Sequence, residues 1–168
     1  MTLVDKYLKE KNILILTFLI HLVAAIFSLG FHHYDEYFQL LEFMNYKLGE
    51  TPATNLPWEF HNQMRPWGQV YIFYYLHKFF SFFGMSSPFV FTFFLRLISS
   101  ILGIGSVYLL RPVLKYWFKD EDHRAYLWAF FLMNCAWYIP YMHVRPSSES
   151  WGTSVFLIAF SYFFQAVT

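Results

Sequence analysis

Charge is what this chain has least of. Asp, Glu, Lys and Arg make up 14% of 168 residues, against roughly a quarter in ordinary soluble domains. With 57% hydrophobic and 24% aromatic residues and a mean hydropathy of +0.35, that deficit argues against a soluble globular domain and for an integral membrane protein. The net charge is +1 and the cations are thinly spread, so the basic stripe that neutralising nucleic-acid phosphates requires is missing. Nucleic acid is therefore not expected as a partner. Cysteine is almost absent as well: Cys135 stands alone in an apolar run, which excludes an intrachain disulfide and a cysteine-based metal site. Heptads, internal repeats and low-complexity linkers are lacking, and with them any sign of a second domain.

What the chain does have is long hydrophobic runs. Crossing about 30 Å of hydrocarbon takes roughly 20 apolar residues at about 1.5 Å of helix rise each. Residues 13–30, 88–110, 125–143 and 151–168 read as such spans, which predicts an all-α polytopic membrane fold with an outward loop over 31–87. No clear small-residue cleavage site precedes His32, so the first run reads as an uncleaved anchor rather than a signal peptide. The stretch 67–83 is apolar but short, and it carries His77 and Lys78. If it does not cross, Lys6, Lys9 and Lys11 share a side with Arg111, Lys115, Lys119 and Arg124, seven of the twelve Lys and Arg. The positive-inside rule puts that side in the cytoplasm, leaving 67–83 as an interfacial or re-entrant segment and 31–87 and 144–150 facing a lumen or periplasm. Ending on Ala166-Val167-Thr168 without a polar flank, the chain reads as the amino-terminal part of a longer polytopic protein.

The outward loop holds a charged island. Tyr37, Leu40, Leu41, Met44 and Leu48 recur at helical steps before a stop at Gly49, while Asp35, Gln39, Glu42 and Tyr46 share the opposite face. Asp35 and Glu36 then fall in a first turn, where acidic groups offset free N–H groups and the helix dipole by about 0.5–2 kcal/mol. The functional alternative makes Asp35 a general base for an attacking hydroxyl. A metal held by His32, His33 and Asp35 is a weaker alternative, because that spacing matches no strong ligand signature.

Further along, Trp58 and Glu59 precede Arg65, which can pair with Glu59, reach a phosphate, or simply anchor at headgroups beside aromatic-belt tryptophans. In the link 143–150, Ser147 suits a helix cap with Glu149 in the first turn, while Arg145 supplies a second outward cation. Arg96 lies inside the second span at a cost of about 2.5–3.5 kcal/mol, so it must face protein or water. With His21 and His77 it motivates a rival class, a transporter or channel subunit. A noncatalytic membrane adaptor is the third reading.

HYDEYFQLLEFMNYKLG at 33–49 resembles the "HPDE-x-FQ-x-x-E … G" start of the first lumenal loop of the GT-C mannosyltransferases, glycosyltransferase family 22. Pro-Trp-Glu-Phe at 57–60 resembles that family's Thr-Trp-Glu-Trp, Arg65 its following arginine, Arg96 an arginine in the next span, and RPSSE at 145–149 an Arg…Ser-Asn…Glu segment. Tyr34, Pro57 and Phe60 depart from the family's proline, threonine and tryptophan. The resemblance covers most of this chain and about the amino-terminal third of a typical member. It implies a GT-C fold with amphipathic helices in the first outward loop, in an endoplasmic reticulum or bacterial inner membrane. It further implies mannose transfer with inversion from a polyprenyl (dolichyl) phosphate sugar to a lipid-linked glycan or GPI-type acceptor, with no cofactor and no metal. By the same resemblance Asp35 is the acid-base position and Glu36 its acidic neighbour, Trp58, Glu59 and Arg65 form the donor-side loop, and Arg145 and Glu149 contact substrate.

Overall fold

The structure is a computed structural model and describes residues 8–28, 30, 34, 36–118 and 123–168. Helix α1 (Glu10–Phe27) is 18 residues of almost unbroken hydrocarbon, bounded by extended backbone at Lys9 and Ser28. Its buried positions are Ile13, Thr17, His21 and Ala25, every fourth residue, so one narrow stripe meets protein. Ile15, Phe18, Leu19 and Val23 lie exposed around it, as a lipid-facing surface should.

The other helices are α2 (Glu42–Leu48), α3 (Trp58–His61), α4 (Gly68–Phe82), α5 (Pro88–Leu109), α6 (Arg111–Trp117), α7 (His123–Cys135), α8 (Ile139–His143) and α9 (Ser148–Val167). No strand occurs among the described residues, and the all-α fold expected from the sequence is the one observed. Among the described residues three stretches are long and apolar enough to cross a membrane: α1, the 30-residue run Pro88–Trp117 and α9.

Side-chain pairings fix the directions. Trp151 Nε1 donates to Ser99 Oγ at 2.8 Å and Ser161 Oγ donates to the Leu109 carbonyl further along, so α9 runs parallel to α5. Cys135 Sγ is 3.4 Å from Thr17 Oγ1 and His143 Nδ1 is 3.1 Å from His21 Nε2, so α7 and α8 follow α1 in the same direction. Glu10 meets Arg111, whereas Gly30 and Ile26 line a hollow with Pro88, so α1 is antiparallel to α5. Small residues make the close approach possible: α5 buries Ser99, Ser100, Gly103 and Ser106, and α9 buries Ser154 and Ser161.

One end of the bundle is clamped by charge. Glu10 takes Arg111 at 3.0 Å and Lys115 at 2.8 Å, above a cluster of Ile13, Val107, Leu114, Tyr126, Leu127 and Phe130. The loop elements gather at the other end. Leu40, Phe43, Met44, Val70 and Phe73 pack with Phe91 and Leu95 of α5, and Gln69 of α4 donates to the Pro146 carbonyl at 3.2 Å. Helix α4 is 15 residues, about 22 Å long, and lies against α2 at this end.

Two elements differ from their sequence pattern. The run 125–143 is not one helix: α7 ends at Cys135 and α8 is five residues starting at Ile139. Pro140 has no N–H to offer the carbonyl of Ala136, and a tight Ile139 N–H to Ala136 O bond of 2.8 Å closes the break. The segment expected as one regular amphipathic helix begins as a π-helical turn, Glu36–Leu41, before α2. The widened turn carries one extra residue and rotates the faces. Glu36 and Gln39 are buried beside Leu40, while Tyr37, assigned to the apolar stripe, is exposed. Gly49 ends α2 as expected, at φ +83 with its N–H on the Tyr46 carbonyl.

In a Cys135→Ser background, cysteines placed at exposed Trp58 and Trp117 should react with an impermeant maleimide from opposite sides of the membrane. Labelling of both from one side would contradict this arrangement of the ends.

Candidate functional site

The charged groups at the loop end converge on a cavity of about 430 Å³ between α1, α5, the π-helical turn and the α8–α9 link. Its charged lining is Glu36, Arg96 and Arg145. Arg145 Nη1 lies 3.8 Å from Glu36 Oε2, with both side chains about 95% or more buried. The same Nη1 donates to the Gly30 carbonyl at 2.8 Å, and the guanidinium sits 4.4 Å from the Tyr141 ring centroid. Gly30 has φ +64, a conformation that glycine adopts without the steric cost a side chain would bring.

Two features make this cavity more than a packed ion pair. Arg145 Nε is buried with no hydrogen-bond partner among the described residues, although a buried donor left unmade is expensive. Arg96 reaches the same space from α5, close enough to feel both Arg145 and Glu36. Among the described residues two guanidinium groups therefore face one carboxylate, an excess of positive charge in a low-dielectric pocket that opens among membrane-spanning helices. Such a pocket suits an anionic group carried on a lipid.

Tyr37 also lines the cavity. Its hydroxyl donates to Glu42, and that bond together with burial holds the phenol above its ordinary range, so it stays protonated and committed.

A second hollow, about 590 Å³, is built entirely from residues 43–67 of the loop and includes Glu59, Arg65, Lys47 and Trp67. Arg65 Nη2 lies 3.6 Å from Glu59 Oε1, the pairing the sequence allowed, and the buried Gln39 amide donates to that oxygen at 3.2 Å. Lys47 Nζ stands 5.1 Å from the Trp67 ring centroid. Arg65 and Arg145 thus serve different hollows, and the π-helical turn reaches both: Glu36 lines one, and Gln39 bonds to Glu59, which lines the other.

Of the sequence-derived candidates, Glu36 and Arg145 are brought into contact, and Glu59 and Arg65 form a second pair. Trp58 is largely exposed at the start of α3 and lines neither hollow. Glu149 is exposed in the first turn of α9, where Ser147 Oγ caps by accepting the Ser150 N–H at 3.1 Å. Asp35, His32 and His33 lie outside the described residues. Among the described residues no group of three His, Cys, Asp or Glu is arranged to hold a metal. Sequence reasoning placed Arg96 at depth without a partner; it shares a cavity with the Glu36 carboxylate and with the like charge of Arg145. It missed Tyr141, whose only signal was an aromatic four residues before Arg145.

The family model of the Alg9-like mannosyltransferases matches residues 12–167. The chain belongs to that family, as its loop motifs imply, and the family is one of membrane glycosyltransferases. No curated protein and no solved structure matches the chain.

Replacing Arg145 by Met should strand the Glu36 carboxylate and cost about 3 kcal/mol, whereas Glu36→Gln/Arg145→Met together should recover most of it. Thermal unfolding of detergent-solubilised protein measures both; equal losses would mean the pair is not coupled.

Proposed function

We propose that the loop end of the bundle is the transfer site of a GT-C glycosyltransferase, moving mannose with inversion from a polyprenyl phosphate to a hydroxyl of a lipid-linked glycan or GPI-type acceptor. The reading starts from family membership, and the observation that carries it is the Glu36–Arg96–Arg145 cavity at membrane level. Asp35 precedes Glu36 in the chain, within one peptide unit of a residue lining that cavity.

In a single displacement, the acceptor oxygen forms a bond to the anomeric carbon as the bond from that carbon to the phosphate oxygen breaks. The hydroxyl proton goes to the Asp35 carboxylate, and the electron pair of the broken bond leaves on the lipid phosphate. The phosphodiester carries one negative charge and the departing polyprenyl phosphate carries two, so catalysis needs cations placed beforehand where the new charge appears. Arg145 and Arg96 supply them. Glu36 keeps Arg145 in place without neutralising both guanidinium groups. Glu59 and Arg65 contact the carbohydrate from the second hollow, Trp58 meets it from the exposed start of α3 outside that hollow, and Glu149 supports the start of α9. The loop faces the endoplasmic reticulum lumen or the bacterial periplasm, the side on which polyprenyl-phosphate sugars are presented.

A transporter would use Arg96 as an isolated charge at membrane depth. Its place beside Glu36 and Arg145, in the outer half of α5, favours the enzyme.

Membranes containing the full-length protein should transfer mannose from a polyprenyl-phosphate donor, and Asp35→Asn should lower the rate by roughly 10²-fold or more while donor binding persists. A variant that keeps the wild-type rate removes Asp35 from the mechanism.

A further inference from the structure

Arg145 sits on a segment that its own helix cannot hold in place. Helix α8 is five residues, too short to be stable alone, and the break at residues 136–138 separates it from the packing of α7. Something else must fix where Arg145 enters the cavity, because guanidinium placement within about half an ångström decides how well developing charge is met.

The last residue of α8, His143, makes two contacts that do this. Its Nδ1 is 3.1 Å from His21 Nε2 on α1, and His21 Nδ1 is in turn 2.8 Å from the Thr17 carbonyl. A carbonyl only accepts, so His21 Nδ1 carries the proton, and in the neutral ring His21 Nε2 is the acceptor and His143 Nδ1 the donor. The direction of the chain of bonds is fixed. On its other side the His143 ring lies on Gly103 of α5, where an added Cβ would stand 2.5 Å from Cγ and 2.7 Å from Nδ1. Only glycine leaves room for the ring, and His21, 1% exposed, is shielded from bulk solvent.

We infer that the Thr17–His21–His143 chain, seated on Gly103, is a positioning device for Arg145, locking the end of α8 to both helices that line the cavity. His143 touches no reacting group. It acts through Arg145, and the inference rests on the role proposed for that residue.

The test is a double-mutant cycle in the full-length protein, measuring kcat and donor KM for transfer from polyprenyl-phosphate mannose. His143→Leu should lower kcat/KM about ten-fold, the scale of one buried hydrogen bond lost, through the same parameter that Arg145→Lys changes. His143→Asn, whose amide nitrogen takes the place of Nδ1, should stay near wild type, and His143→Gln should not. In the Arg145→Lys background, His143→Leu should add little. Full additivity of the two losses, or an unchanged His143→Leu enzyme, overturns the inference. Should His143→Leu fail to accumulate in the membrane, the Asn and Gln variants in both backgrounds decide by the same criterion. If Arg145→Lys itself leaves transfer untouched, the role proposed for Arg145 fails rather than the coupling between the two residues.

Discussion

A carboxylate and a guanidinium taken out of water must meet, or the chain must unfold to rehydrate them, and much of this molecule follows from that demand at Glu36 and Arg145. The pair joins segments more than a hundred residues apart and brings the end of α1 along through the Gly30 carbonyl. Once it is formed, the amphipathic loop cannot drift over the membrane surface, and the α8–α9 link is tied to the same end. The geometry is not that of a saturated salt bridge. Its distance is 3.8 Å, a donor is left over among the described residues, and a second arginine shares the one described carboxylate that lines the cavity. As stabilisation alone this would be poor construction. As a preformed receptacle for an anion it is coherent, because the unmet donors are fixed before the ligand arrives.

The bundle and the loop are held by different forces. In the bundle, helices approach through serine and glycine surfaces, and direction is set by a few polar pairs such as Trp151 with Ser99, as expected where lipid offers no hydrophobic drive for helices to associate. In the loop, Phe43, Phe60, Trp67 and Tyr46 stack in a conventional aromatic core that relies on exclusion of water. Gln39 and Gln69 cross between loop elements and the site by amide hydrogen bonds, carrying no charge that would compete with the arginines.

The hydrophobic runs were legible because their signal is compositional: α1, α5 and α9 each sit within a few residues of the run that predicted them. Pairing Glu59 with Arg65 was legible too, since the two are near in sequence on an irregular connection. The break in the third run was hidden because the same apolar residues serve an unbroken and an interrupted helix, and only the position of Pro140 carried a hint. Burial of Glu36 was invisible. The period of 3.6 that sorts residues into faces fails through a π-helical turn, and the partner that justifies burying a carboxylate lies on a distant link. The family match reaches over both regions and explains why motif order succeeded where periodicity did not.

The π-helical turn has a mechanical consequence. Glu36 lines one hollow and Gln39, three residues on, holds the Glu59 carboxylate that lines the other, so any rotation of that coil about its axis displaces both side chains together. A shift in the wall of one hollow is therefore geared to the wall of the other through six residues of backbone.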